Sequence, residues 1–177
     1  MIRPLILAAL MGASLTATAE PLPNRPVPAL DLARYAGTWH EIAHLPLFFQ
    51  RQCIDTITAT YTPRADGTVT VHNACRTAKG MDASDGVARR VDADSGALKV
   101  RFAPSWLAWL PMVWADYWVI ELDPDYRWAV VGSPGRKYLW VLSREPSMPA
   151  KQFRAIRDRA AARGYPVDRL IIAAPLD

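Results

Sequence analysis

The sequence predicts an all-β, antiparallel fold, a barrel or a sandwich, of eight strands followed by one α-helix and a short final strand. Three observations predict it. Short segments alternate apolar and polar residues at period two, turn residues separate them at short intervals, and no helical pattern interrupts the series before Ser147. No repeat of about 20–50 residues marks a propeller or solenoid. The 177 residues suffice for one domain with a core.

The N-terminus reads as a processing signal. Arg3 supplies a short positive region, Pro4 to Leu15 an apolar stretch, and Ala17-Thr18-Ala19 a small-residue cleavage pattern. Residues 1–19 are thus expected to be a cleaved signal peptide. The apolar stretch is shorter than the roughly 20 residues a membrane span needs. Glu20, not a cysteine, follows the cleavage site, so no lipid-anchored residue is expected there. The product is expected in an exported compartment, the periplasm, with association to the outer membrane left open.

Residues 20–30 hold four prolines, at 21, 23, 26 and 28, and read as an extended lead-in rather than a packed element. The folded domain then spans 31–177. A helical turn over Asp31–Tyr35 is capped by Asp31. The first strand covers Gly37–Leu45 and stops at Pro46. Leu47–Gln52, with two phenylalanines, is a loop that covers something apolar. Ile54–Thr62 alternates: Ile57, Ala59 and Tyr61 lie on one face and threonines on the other. Asp66-Gly67 turns the chain into Thr68–Ala74, with Tyr61 expected opposite Val69 so that the apolar faces coincide. Ser84–Val91, Ala97–Phe102, Tyr117–Leu122, Arg127–Gly132 and Lys137–Ser143 complete the strands, separated by Asp-, Gly- and Pro-containing turns. The helix has Ser147 as N-cap, an apolar stripe of Phe153, Ile156 and Ala160, and Gly164 beyond its end. Arg169–Ala173 is the last strand.

Cys53 and Cys75 are expected to form a disulfide. They fall on one face of the predicted hairpin, about one pair out of direct opposition, a gap that a bulge or the chain's exit would close. Two buried free thiols are the alternative. The net charge of +4 is mild, and the basic residues are scattered apart from a cluster on the late helix. That excludes nucleic acid as a partner, since phosphate binding needs a dense basic face.

His40-Glu41-Ile42-Ala43-His44 matches the H-E-x-x-H pattern of zinc proteases. That chemistry needs a helix, where residues four apart sit one turn apart and grip a single ion. Gly37, Thr38, Trp39 and Ile42 favour a strand instead, which separates the two histidines by roughly 13 Å. No metal site is expected. His72 reads as a surface or pairing residue. No phosphate loop or nucleophile elbow is present, so no catalytic residues and no cofactor are assigned.

Gly37-Thr38-Trp39, and Trp140-Val141-Leu142-Ser143-Arg144 before a helix, resemble the first and last signatures of the lipocalin family. The stretch from Asp116 to Val131 is similar to the family's bacterial branch. The resemblance covers roughly 30–174. It implies a lipocalin-type up-and-down barrel that holds a lipid or other small hydrophobic molecule, such as a fatty acid or lysophospholipid, and it implies binding or transport for membrane maintenance rather than catalysis. An enzyme or a haem-binding protein on the same barrel, using His44 or His72, is the alternative. Trp39 and Arg144 are expected to stack and close one end of the barrel. Glu41, Tyr61, Trp114, Tyr117 and Trp140 are the residues expected to face the ligand. Glu41, sharing the inward phase of Trp39 and Ala43, would be a carboxyl in an apolar cup with a raised pKa.

Pro104–Trp114 contains three tryptophans and no charge. It is placed at the open end of the barrel, as a lid over it, a contact with a membrane surface or a patch that pairs two copies of the chain.

Overall fold

Period-two strands pair with their chain neighbours until the last meets the first. The computed structural model describes residues 21–177. The leader expected over residues 1–19 lies outside them. A short helix α1 (Leu32–Tyr35) precedes β1 (Gly37–His44), β2 (Asp55–Pro63), β3 (Val69–Thr77), β4 (Gly80–Arg90), β5 (Ala97–Arg101), β6 (Ala115–Leu122), β7 (Trp128–Gly132) and β8 (Leu139–Ser143). Helix α2 (Ala150–Ala162) and β9 (Ile171–Ile172) follow. Neighbouring strands from β1 to β8 pair antiparallel, and β8 pairs with β1, which closes an eight-stranded up-and-down barrel. β9 bonds to β1 on the outside, through Ala43 and His44.

Alternation divides the apolar residues into two layers. One fills the barrel's lower interior with Trp39, Tyr61, Val71, Val119, Val131 and Leu142. The other lies between barrel and helix, where Ile42, Val130 and Val141 meet Phe153, Ile156 and Ala160 of α2. That helix carries the predicted stripe, and Gly164 takes φ +85° just past its end, the left-handed geometry glycine permits there. Ser147 is not its N-cap. Pro149 occupies that position without a side-chain bond, because the Ser147 hydroxyl is engaged by the Asp177 carboxylate.

Three local readings are corrected. β2 and β3 pair Tyr61 with Val71, not Val69, because Asp66 accepts hydrogen bonds from the Thr68 amide and hydroxyl and keeps Thr68 in the turn. Val69 therefore pairs with Pro63, and the two-residue shift leaves the faces unchanged. β4 starts at Gly80, ahead of the expected Ser84, since Thr77 closes a tight turn onto the Gly80 carbonyl. The proline-rich segment from residue 21 to 30 forms no helix or strand, but it is packed against the barrel. Val27 bonds to Val119 and Gly96, Leu30 bonds to Asp94, and Leu30 is buried. The disulfide joins Cys53 to Cys75 with Cα atoms 5.5 Å apart. A bulge between Asp55 and Thr58, with Thr56 at φ +53°, brings Cys53 to its partner.

One end of the barrel is closed by Arg144. Its guanidinium lies 3.8 Å from the centre of the fully buried Trp39 ring. It also donates to the carbonyls of Thr38, Arg34 and Ala36 at 2.8–2.9 Å. The Trp39 indole donates to the Tyr35 carbonyl at 2.8 Å, so α1 is tied across the same end.

Trp39→Ala removes a buried indole and should cost about 3–5 kcal/mol, a fall in melting temperature of about 10 °C for a domain of this size. Arg144→Lys should also destabilise, because an ammonium cannot reproduce the planar stack and its forked donors. Unchanged melting temperatures in both variants would contradict the closure described above. Replacing Cys53 and Cys75 together by Ser should cost about 3 kcal/mol in a chemical-denaturation curve.

Candidate functional site

The inward faces of the strands enclose a cavity of about 500 Å³, above the packed layer and opposite the Trp39 end. Its wall is mostly apolar and includes Ile57, Val71, Val100, Tyr117, Trp140 and Leu142. Of the residues expected to face a ligand, Glu41, Tyr117 and Trp140 line it. Tyr61 lies beneath, in the buried layer, and reaches the site through its hydroxyl. Trp114 stands elsewhere. Its ring lies 4.1 Å from Arg89 and 5.3 Å from Arg101, which alternate with the inward Ala88 and Val100 and so leave on the outer side. Its indole donates to the Ala108 carbonyl at 2.8 Å.

β1 does not keep the expected phase. A bulge between Glu41 and Ala43 places Glu41 opposite Leu142, Ala43 opposite Val141 and His44 opposite Trp140. Ile42 and Ala43 both pack into the outer layer, so Ala43 does not share the inward side with Trp39 and Glu41. His44 does, and it is buried, with Nε2 3.7 Å from a Glu41 oxygen. The zinc-protease pattern is therefore laid along a bulged strand.

Burial governs the protonation of this pair. It pushes the Glu41 carboxyl up to about 8, and hydrogen bonding from Gln50 offsets only part of the shift. Burial also lowers His44. His44 Nδ1 donates to the Leu45 carbonyl at 2.8 Å, which leaves Nε2 as the unprotonated nitrogen of the neutral ring. Near neutral pH the two are an acid holding its proton beside a neutral imidazole, not an ion pair.

Gln50 completes the cluster. It sits in the 3₁₀ turn Phe48–Gln50 of the β1–β2 connection. Its amide nitrogen donates to both Glu41 oxygens at 3.0 and 2.9 Å, and its carbonyl accepts from the Trp140 indole at 3.2 Å. A loop residue thus descends from the mouth and links two cavity walls. Asn73 continues the inward phase of Val69 and Val71 into the cavity, and its side-chain oxygen is buried with no partner among the described residues. Sequence reasoning missed both residues. The β3 alternation carried the signal for Asn73, and nothing local carried one for Gln50. The floor is Tyr117, whose hydroxyl lies 2.8 Å from those of Tyr35 and Tyr61. Burial holds all three above the ordinary tyrosine range. His72 points away from the cavity and bonds to Asp85 at 2.7 Å.

Residues 30–175 match the model of the lipocalin-like domain. The chain belongs to the lipocalin family. It is 39% identical over 148 residues to temperature-induced lipocalin-1 of Arabidopsis thaliana, covering 81% of this chain and 78% of that protein. It is 36% identical over 174 residues to outer membrane lipoprotein Blc of Escherichia coli (strain K12), covering 95% and 94%. Among solved structures, insecticyanin from the tobacco hornworm Manduca sexta superposes with a TM-score of 0.66 at 18% identity, covering 89% of this chain and 87% of that one. That last likeness concerns the fold alone. Lipocalins are binders of small hydrophobic molecules, and the open apolar cavity has the matching form.

The raised Glu41 pKa sets a pH dependence. The folded protein retains a proton that the unfolded chain releases above about 4.5. Stability should therefore fall as pH rises from that value toward about 8, with a slope of up to about 1.4 kcal/mol per pH unit. Glu41→Gln keeps the shape and loses the titration, so its urea-unfolding free energy should lack this component. Equal pH slopes in the two proteins would contradict the assignment.

Proposed function

We propose that the protein binds a single-chain amphiphile, a fatty acid or lysophospholipid, in the barrel, and stores or carries it in an exported compartment for upkeep of the membrane. The observation that carries this reading is the pairing of an apolar cavity of about 500 Å³ with one buried, proton-retaining carboxyl cluster. The volume is within the range of small-molecule sites, roughly 300–1,000 Å³. An acyl chain contacts Tyr117, Trp140 and Leu142. The ligand's polar oxygens accept a hydrogen bond from protonated Glu41 or meet the amides of Gln50 and Asn73. Tyr61 acts by holding the Tyr117 hydroxyl. Trp114, stacked outside the barrel, has no part in this contact.

The export reading rests on the N-terminal pattern and is supported by the similarity to proteins named outer membrane lipoprotein. Among the described residues no helix is long and apolar enough to cross a membrane.

Solvent extraction of the purified protein followed by mass spectrometry should recover fatty acid or lysophospholipid in near-stoichiometric amount. Trp140→Ala should weaken binding of a fluorescent fatty acid by at least about tenfold, equivalent to about 1.4 kcal/mol. His72→Ala, outside the barrel, should leave it unchanged. A lipid-free extract together with no binding of the fatty acid probe would refute the reading.

A further inference from the structure

We propose that the open end of the barrel is a docking face for an anionic bilayer, which seats the protein mouth-down on the lipid. This rests on the ligand reading above in one respect, that the mouth it presents leads to a lipid site.

The first observation is an apolar rim that no described residue covers. Trp106, Trp109 and Met112 in the β5–β6 connection are 72%, 77% and 84% exposed, and Phe48 in the β1–β2 connection is 74% exposed. Both connections leave the barrel at the end opposite Trp39. The tryptophans are therefore not folded down as a lid. Phe49 and Phe102 join rim to interior, since both line the cavity and are partly exposed.

The second observation is that the exposed loop is built. Leu107 bonds to Pro104, Ala108 to Ser105, Leu110 to Leu107, and Trp114 to Pro111, through backbone groups only. Trp114 anchors the base between Arg89 and Arg101 and bonds to Ala108. Five of the loop's amides are thus bonded within the loop while Trp106 and Trp109 face outward. Indoles suit the bilayer interface, where one side is apolar and the other wet.

The third observation selects the partner. The strand-to-strand connections at the open end carry Arg51, Lys79, Arg136 and Lys137 and no acidic residue, and the α2–β9 connection beside them adds Asp168 together with Arg169. Those between strands at the closed end carry Asp66, Asp92, Asp94, Asp123 and Asp125 against Arg64 and Arg127. None of the four open-end cations is ion-paired among the described residues. Asp55, at the start of β2, is neutralised by Arg76, and Asp116, at the start of β6, by Lys99, which leaves Asp82 beside the rim and Asp168 next to Arg169. Positive charge ringing an apolar, tryptophan-rich surface complements anionic headgroups, and the acidic end faces away. The chain also joins the barrel from this end, for Leu22 bonds to Ala162 and Asn24 to Ser133.

The test uses the processed protein with vesicles containing phosphatidylglycerol and with vesicles of phosphatidylcholine alone. Phosphatidylglycerol vesicles should shift tryptophan emission to the blue and carry the protein down on sedimentation, and added salt should weaken both effects. Brominated lipid should quench the emission. Trp106→Ser with Trp109→Ser should abolish the shift. Arg51→Ser, Lys79→Ser and Lys137→Ser together should weaken partitioning, by roughly fivefold for each charge removed. Both variants should bind a fluorescent fatty acid normally in vesicle-free buffer, which confirms that they fold. Loss of vesicle binding in the wild type with fatty acid binding intact would overturn the docking proposal alone. Vesicle binding without fatty acid binding would overturn the ligand reading alone. Equal partitioning to both vesicle types overturns the anionic assignment. A concentration-dependent dimer that shifts the emission without vesicles assigns the rim to a second copy of the chain and overturns the proposal.

Discussion

The Arg144 guanidinium on the Trp39 indole is the contact from which the rest of the site follows. An eight-stranded barrel has an interior just wide enough either to be filled by its own side chains or to hold one small ligand. Here the chain does both, at opposite ends. Arg144 binds the ends of β1, β8 and α1 into one closed base, and the buried layer built on Trp39 rises only as far as the linked hydroxyls of Tyr35, Tyr61 and Tyr117. Above that layer the inward side chains leave a cavity open at the far end. A base of this rigidity lets the mouth remain unpacked without loss of the fold.

Chemistry enters that cavity through an irregularity. Without the bulge in β1, His44 would point outward and Ala43 inward. With it, Glu41 and His44 stand on the same side, three residues apart. Leaving a charged carboxylate there would be costly, and the protein avoids that cost by retaining the proton and bonding the acid to Gln50. The result is a polar point in an apolar wall that is neutral near physiological pH. Such a point favours a ligand with one polar end and a long apolar one.

The strands, the late helix and the disulfide were legible in the sequence because they rest on local patterns, alternation in Ile54–Thr62 or the stripe from Phe153 to Ala160. The Trp39–Arg144 stack was legible through the family resemblance. The bulge in β1 was not, because one inserted residue between Glu41 and Ala43 leaves the apolar composition of the strand unchanged while reversing the side that His44 faces. The β2–β3 register depended on a side-chain bond from Asp66 that composition does not reveal. Trp114 illustrates a second limit. Its hydrophobicity suggests an interior, yet two arginines on neighbouring strands give it an equally good place outside. Gln50 illustrates a third, since a loop residue becomes part of the site only when the loop folds back over Glu41 and Trp140.

The proposed function requires an acyl chain in the interior with its polar end at Glu41 and Gln50. A crystal structure of the protein with a fatty acid brominated at its methyl end tests it most directly, because bromine is located by its anomalous signal. A single bromine peak is expected inside the barrel near Tyr117, with the carboxyl group within hydrogen-bonding distance of Glu41 or Gln50. Bromine found only on the outer surface, with the cavity empty, would contradict it.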